Sequence, residues 1–485
     1  MRTRFAPSPT GYLHVGGLRT ALYSYLIAKQ TKGEFLLRIE DTDQERSVEG
    51  TVESILRSLE WAGISPDEGV VLKGTSVDQV GKVGPYFQSE RLDVYKKYAQ
   101  ELLEKGHAYP CFCTADRLAQ MRDDQTKAKQ APMYDRLCMS LPKEEAAKRM
   151  ANEPHVLRLK VPRTEVITFE DDIRGKLSFQ GHVVDDQVLL KSDGFPTYHL
   201  AHVVDDHLMK IDIVIRGEEW LSSLPKHLLL FRYLGWTPPR YAHVPLLLNK
   251  DKTKLSKRQG SVSVEEYITK GYLPEALLNF LAMLGWNSGT TQELFSLEEL
   301  IDAFSIDRVQ KSGAIFDLEK LDWLQGQWMR KIEPPEFAER ILPLVAEKYP
   351  DAKKDKDFAK KAALIQERLT LFPEAPEMMS FFYEEPKVTV DLLANEKQKV
   401  TSADVPKILA LLTSTLESID DWTLPNIQSA LEKLATEGYK KGQILWPLRA
   451  ALTGKPFSPG AYEVAEVLGK EETIKRLTAA LKSIS

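Results

Sequence analysis

Cysteine is scarce in this chain: 485 residues contain only three, Cys111, Cys113 and Cys138. An odd count, crowded into one short stretch, argues against a disulfide framework as what holds the fold together. Long apolar runs are missing too. No window approaches the ~20 consecutive apolar residues that a membrane span needs. The opening Met1-Arg-Thr-Arg-Phe-Ala-Pro has no apolar signal core, so a cytoplasmic protein is expected. Nor is there any excess of basic charge. The formal net charge of −5 does not advertise a nucleic-acid binder, although phosphate contacts need only a local basic face. Internal repeats and low-complexity tracts are absent as well.

What remains is the composition of an ordinary soluble globular protein, 43% hydrophobic and 28% charged, whose length implies roughly three to five domains. The first residues read as a strand over 2–7, followed by a glycine-bearing turn. An amphipathic helix comes next, with Leu18, Ala21, Leu22, Tyr25 and Leu26 at helical spacing and Gly33 closing it. Phe35-Leu-Leu-Arg-Ile is then a short apolar run bounded by turns. Strand, helix, strand predicts a βαβ unit and an open parallel sheet. From Glu90 a helix carries Leu92, Tyr95, Ala99, Leu102 and Leu103. Val203-Val-Asp-Asp and Ile211-Asp-Ile-Val-Ile-Arg read as strands resuming the sheet, so residues 84–185 are expected to form an insertion. Beyond about residue 262 the period is helical almost throughout, as in Pro274-Glu-Ala-Leu-Leu-Asn-Phe-Leu-Ala-Met-Leu.

Two motifs suit a polyphosphate. His14-Val-Gly-Gly stands where the first strand hands over to the first helix, where free backbone N–H groups and the helix dipole favour an anion. Gly16 and Gly17 let a nucleotide approach the backbone, and His14 can donate a hydrogen bond to a phosphate oxygen. Taken alone, this is an ordinary glycine turn. Lys254-Leu-Ser-Lys-Arg, preceded by Lys250 and Lys252, supplies ammonium groups for the charge that grows as pyrophosphate departs. Taken alone, it is a solvated basic loop.

The pair, in this order, resembles the two signatures of class I aminoacyl-tRNA synthetases, "HIGH" and "KMSKS". The departures are Val for Ile and Gly for the final His in the first, and Leu for Met and Arg for the final Ser in the second. Arg4-Phe-Ala-Pro-Ser-Pro-Thr-Gly and Arg38-Ile-Glu-Asp-Thr-Asp-Gln-Glu-Arg46 are similar to segments of the glutamyl and glutaminyl branch. Gln88-Ser-Glu-Arg, Lys191-Ser-Asp-Gly-Phe-Pro-Thr-Tyr-His-Leu-Ala and Ile215-Arg-Gly-Glu-Glu-Trp resemble the bacterial-type glutamyl family. That likeness continues through Phe316-Asp-Leu-Glu-Lys-Leu to Trp446-Pro-Leu-Arg-Ala-Ala-Leu-Thr-Gly.

The resemblance implies a Rossmann-type α/β catalytic domain (1–83 and 186–240) with an inserted α+β acceptor-binding domain (84–185). A stem-contact domain (241–332) and two α-helical anticodon-binding domains (333–385 and 386–485) would follow. It implies ATP, L-glutamate and tRNA(Glu) as substrates, Mg²⁺ travelling with ATP, and a monomer. His14, Lys254 and Lys257 are the implied catalytic groups. ATP falls to His14, Gly16, Gly17, Glu219, Trp220, Lys254, Ser256 and Lys257. Glutamate falls to Arg4, Ala6, Ser8, Glu40, Tyr198, His202 and Arg216. The physical chemistry agrees: a buried γ-carboxylate requires a cation, and the α-ammonium group requires an acid.

Cys111-Phe-Cys113 and Cys138 resemble the zinc hook of some members, with Tyr134 in a Tyr-x-x-x-Cys ending and Ser140 where others have His. Zn²⁺ held by Cys111, Cys113, Cys138 and Tyr134, or three reduced buried cysteines, both fit the residues. A glutaminyl enzyme is disfavoured by the helical C-terminal half. A truncated, base-modifying relative is disfavoured by the more than 150 residues after Trp328, and a non-catalytic scaffold by the retained lysines and arginines.

Overall fold

The computed structural model describes residues 1–255, 262–436 and 438–484. They form two compact units, Met1–Thr269 with Pro274–Leu318, and Lys270–Leu273 with Glu319–Ser485.

The first unit is built on a six-stranded sheet. Strands β1 (Thr3–Phe5), β2 (Phe35–Leu37), β3 (Glu68–Lys73) and β4 (Ser76–Val80) come first in the chain. An insertion follows, with β5 (Ala108–Cys111), β6 (Val156–Leu159), β7 (Val166–Asp171), β8 (Gly175–Gln180) and β9 (Val188–Leu190). The chain then returns to the main sheet as β10 (Ile213–Gly217) and β11 (Arg240–Val244). The spatial order is β11-β10-β1-β2-β3-β4. All neighbours are parallel except the β3–β4 hairpin. Connections run outward from β1 on one side and return to β10 on the other. A crevice therefore opens at the carboxyl ends of β1 and β10, where such sheets hold ligands.

The first helix, Val15–Gln30, buries Leu18, Ala21, Leu22 and Leu26 completely. Each leucine contributes about 1.5–3 kcal/mol by leaving water. The helix ends at Thr31, and Lys32, with φ 52°, takes the left-handed conformation expected of Gly33. Gly33 is needed for a different reason: a Cβ there would overlap the backbone of Met1.

One expected strand is a helix. Val203-Val-Asp-Asp lies within the helix Tyr198–Leu208, whose residues His199 to Asp206 are all buried. A short apolar run buried on every side has no period that separates strand from helix. The strand expected next is present as β10.

In the insertion, β5, β6 and β9 pair as an antiparallel sheet, and β7 with β8 form a hairpin. The inserted sheet thus reaches Leu190. Its core is continuous with the helices Tyr198–Leu208 and Leu224–Leu234, through Tyr95, Leu102, Leu157, Leu200 and Leu230. Farther on, β12 (Leu247–Leu248) pairs with β13 (Ala314–Ile315).

The second unit is helical. Pro334–Lys348, Phe358–Gln366, Val405–Glu417, Leu424–Thr436, Lys441–Thr453 and Ala461–Ile484 are its longer helices. Its core gathers Phe337, Ile341, Leu409, Leu412, Leu448 and Leu477, among others, all at helical spacing within their own segments.

Candidate active site

Register brings the charged residues together. Thr3 stands opposite Ile213, Arg4 opposite Leu36, and Arg216 opposite His243. Side chains alternate between sheet faces with a period of two. Arg4, Arg38, Glu40, Arg216, Tyr241 and His243 therefore share one face, the face that carries the helix Tyr198–Leu208. Each position is polar in a sequence otherwise apolar, but only the pairing shows that they converge.

Beneath the crevice lies a buried ionic network. Arg4 donates to Asp206 at 3.2 and 3.4 Å, and Arg38 donates to Asp206 at 2.8 Å and to Glu40 at 3.0 Å. Asp205 accepts from Arg91, Tyr95 and Gln88 at 2.8, 2.8 and 2.9 Å. Burial opposes the Asp206 charge, but Arg4, Arg38 and His202 hold its carboxyl well below the usual range. Glu40 goes the other way: burial outweighs the help of Arg38 and Arg4 and raises its pKa. A cation brought beside Glu40 would relieve that penalty.

Above the network is a cavity of about 450 Å³. Its walls include Arg4, Ala6, Ser8, His14, Gly16, Gly17, Glu40, Tyr198, Arg216, Glu219, Trp220 and Lys254. Among the described residues expected to bind glutamate or ATP, His202 alone is not on this wall. Its ring stacks on Tyr198 at 5.1 Å, and its Nδ1 lies 2.7 Å from Asp206. The ring is buried and neutral, its pKa pushed down to about 3 by desolvation. It backs Tyr198 and orients Asp206 from behind. Ser256 and Lys257 lie outside the described residues.

His14 caps the first helix, its Nδ1 accepting the N–H of Gly16 at 2.9 Å. That bond fixes the proton of the neutral ring on Nε2. The backbone of Leu13–Val15 is laced to Val262–Val264 by Val15 N–H to Val262 O and Val264 N–H to Leu13 O, both 2.9 Å. Lys254 and Leu255 line the cavity on the other side. Leu255 thus lines the crevice, and Val262 is bonded to the backbone next to His14. Gly217, at the end of β10, leaves room for the Glu219 carboxylate, which a Cβ would strike.

Arg216 is 5% exposed, and its partners are neutral. It donates to His243 Nε2 at 3.0 Å, to the Tyr198 hydroxyl at 3.0 Å and to His227 Nδ1 at 3.2 Å. Burial lowers the pKa of both imidazoles. Among the described residues Arg216 makes no salt bridge, so its charge faces the cavity uncompensated. The sequence reading did not single out Asp206, His227, His243 or Asp171, nor did it give Arg38 a role. A pair of acids inside an apolar segment, Asp205-Asp206, was the available signal.

In the insertion, the sulfurs of Cys111, Cys113 and Cys138 lie within 4.8 Å of one another. The Tyr134 hydroxyl is 3.3 Å from Cys113 Sγ and accepts the backbone N–H of Cys138 at 3.0 Å. A tetrahedral zinc–thiolate centre has sulfurs roughly 3.8 Å apart, given Zn–S bonds of ~2.3 Å. The cluster fits zinc with small adjustments. Burial raises the Tyr134 phenol far above its ordinary value. Without a metal it is therefore a neutral hydroxyl.

A doubly wound parallel sheet with a histidine-capped first helix, a lysine-bearing segment after the last strand of that sheet and an α-helical second unit define a class I aminoacyl-tRNA synthetase. The comparisons with known proteins agree. Residues 1–323 match the family "tRNA synthetases class I (E and Q), catalytic domain", and residues 336–481 match "Anticodon binding domain". The chain is 46% identical over 504 residues to the glutamate–tRNA ligase of Chlorobaculum parvum, covering all of this chain and 98% of that one. It is also 46% identical over 487 residues to that of Clostridium tetani, with the same coverage. A crystal structure of a glutamate tRNA ligase from Elizabethkingia meningosepticum, in complex with its amino acid, superposes with a TM-score of 0.86 at 38% identity, covering 100% of both chains. The chain belongs to the glutamate–tRNA ligase family.

Proposed function

We propose that the chain activates L-glutamate with ATP and transfers it to the 3′-terminal adenosine of tRNA(Glu), acting as a cytoplasmic monomer in translation. The observation that carries this reading is the Arg216 guanidinium, buried, held by neutral groups and turned to the same cavity as Glu40. A cation without a counter-ion beside a strained carboxylate is complementary to an amino acid whose side chain is itself an acid. Arg216 and Arg4 would take the substrate's carboxylates and Glu40 its ammonium group. Ala6, Ser8 and Tyr198 would complete the contacts, with His202 supporting Tyr198.

In the first step the α-carboxylate of glutamate attacks the α-phosphorus of ATP and the bond to pyrophosphate breaks, giving glutamyl-adenylate. The carboxylate is already ionised, so no protein base is needed. Catalysis is positioning and charge stabilisation. His14, the backbone beside Gly16 and Gly17, and Lys254 and Lys257 would receive the phosphates, which arrive with Mg²⁺. Glu219, Trp220 and Ser256 would border the rest of the nucleotide. In the second step the terminal ribose hydroxyl attacks the activated carbonyl and AMP leaves.

The insertion would hold the acceptor end, the segment 241–332 the stem, and the helical segments 333–385 and 386–485 the anticodon. Cys111, Cys113, Cys138 and Tyr134 would bind zinc, whose contribution is structural: it ties the end of β5 to the segment around Cys138. In the helical unit, Arg449 stacks 4.7 Å from Trp446. Burial, with some help from the like charge of Arg368, lowers the Arg449 pKa. A cationic, aromatic surface of this kind suits splayed RNA bases.

The test is aminoacylation with labelled glutamate and, separately, glutamine, on purified tRNA(Glu) and tRNA(Gln), with RNA omitted in a parallel exchange assay. Glutamate esterified to tRNA(Glu) is expected. Charging with glutamine instead, or with neither, overturns the reading.

A further inference from the structure

The groups behind Arg216 form a relay that the expected reaction does not use directly. Asp171, at the end of β7, is 1% exposed. Its Oδ1 accepts the backbone N–H of Ile173 at 3.0 Å, of Arg174 at 2.9 Å and of His243 at 3.3 Å. Its Oδ2 lies 2.6 Å from His243 Nδ1. A carboxylate accepts only, so the His243 proton sits on Nδ1 and Nε2 presents a lone pair. That lone pair takes the Nε–H of Arg216.

On the other side His227 Nδ1 accepts from Arg216 Nη2, and His227 Nε2 lies 3.0 Å from His199 Nδ1. Tyr198 accepts from Nη1. Three of the five N–H bonds of the guanidinium are thereby committed to fixed, neutral acceptors. The two that remain, one on each terminal nitrogen, suit the two oxygens of one carboxylate.

We infer that Asp171 and His243 are positioning residues that hold Arg216 as a two-pronged carboxylate clamp and thereby set the preference for glutamate over glutamine. This rests on the glutamate-site reading above. A glutamine amide would put its own N–H against one of the two prongs, so a guanidinium that cannot turn rejects it. A guanidinium released from His243 can rotate and donate one prong to the amide oxygen. The preference is thus a property of the tautomer imposed by Asp171, a residue contributed by the insertion.

The experiment uses the full-length enzyme with tRNA, and measures kcat and KM for glutamate, glutamine and ATP separately. Asp171→Asn conserves shape, but its amide facing His243 Nδ1 moves the proton to Nε2, against Arg216. It should raise the KM for glutamate ~10- to 100-fold, the scale of one charge-assisted hydrogen bond. It should narrow the glutamate-to-glutamine ratio by at least ~10-fold and leave the KM for ATP within ~3-fold. His243→Gln, which restores an acceptor oxygen, should be several-fold milder than His243→Met, which has none. That second pair decides the matter if Asp171→Asn does not fold. Equal effects of Gln and Met at 243, or a KM change shared by ATP, would mean a merely structural role and overturn the proposal. Arg216→Gln serves as the control. If it too leaves glutamate KM unchanged, the glutamate-site reading has failed; if it alone raises it, only the relay has.

Discussion

Replacing Arg216 by glutamine removes the charge on which the substrate assignment stands, and its effect can be worked out from the contacts. The guanidinium makes three hydrogen bonds, to Tyr198, His243 and His227. A glutamine amide can replace at most two of them, leaving a buried acceptor unpaired at a cost of about 1–3 kcal/mol of stability. The larger loss is in the complex. A γ-carboxylate brought into the pocket would meet no counter-charge, and removing one partner of a buried ion pair costs about 3–5 kcal/mol. At 1.36 kcal/mol per decade, that lowers kcat/KM for glutamate roughly 10²- to 10⁴-fold. Glutamine carries no charge to lose, so its own value falls far less and the ratio between the two collapses by ~100-fold. The assay is amino-acid-dependent ATP–pyrophosphate exchange with tRNA present, alongside thermal unfolding to separate binding from folding. A loss under ~10-fold for glutamate, with the ratio to glutamine unchanged, refutes the role of Arg216.

Three further outcomes follow from the site. If Lys257 is the proposed ammonium partner of the departing pyrophosphate, Lys257→Ala should cut glutamate-dependent exchange at least ~100-fold with the fold intact; an unchanged rate removes that lysine from the chemistry. Protein purified without chelators should contain about one equivalent of zinc, and stripping it should destabilise the insertion; less than about half an equivalent at saturation supports three reduced cysteines. Stability should fall as the pH drops from 7.5 to 5.5. His199 and His202, pushed down to about 3 by burial, and His227, held well below its ordinary value, stay neutral in the folded chain and take up protons near pH 6.5 when unfolded. The unfolded state then binds more protons, so this stability is complete above about pH 6.5 and lost progressively below it. Each histidine costs about 1.4 kcal/mol over that interval, about 4 kcal/mol together. Glu40, with its raised pKa, opposes this in part, while the depressed Asp206 adds its loss only below about pH 4. A urea midpoint that is flat or rises toward pH 5.5 contradicts the neutral histidines.

The first βαβ unit, the turn at His14 and the helical second half were legible because their signals are local. Apolar residues three and four apart define the helix Val15–Gln30, and His14 precedes its first turn by one residue. The helix Tyr198–Leu208 was misread in part, because Val203–Asp206 is buried on every side and carries no amphipathic period. Gly33 was seen as a helix terminator, whereas it is demanded by the backbone of Met1, 32 positions away.

By itself the sequence determined which chemical groups are available: an imidazole before a helix, lysines after the sheet, arginines and an acid suited to a zwitterion, three thiols in one stretch. Tertiary structure alone decided which of them meet. Pairing of β1, β2, β10 and β11 puts Arg4, Glu40 and Arg216 on one face, although more than 170 residues separate Glu40 from Arg216. It also gives Arg4 a carboxylate from Asp206 while leaving Arg216 with neutral partners. The reason is physical. A side chain's identity is encoded at its own position, but its charge balance depends on neighbours that only strand register and helix packing bring within a few ångströms.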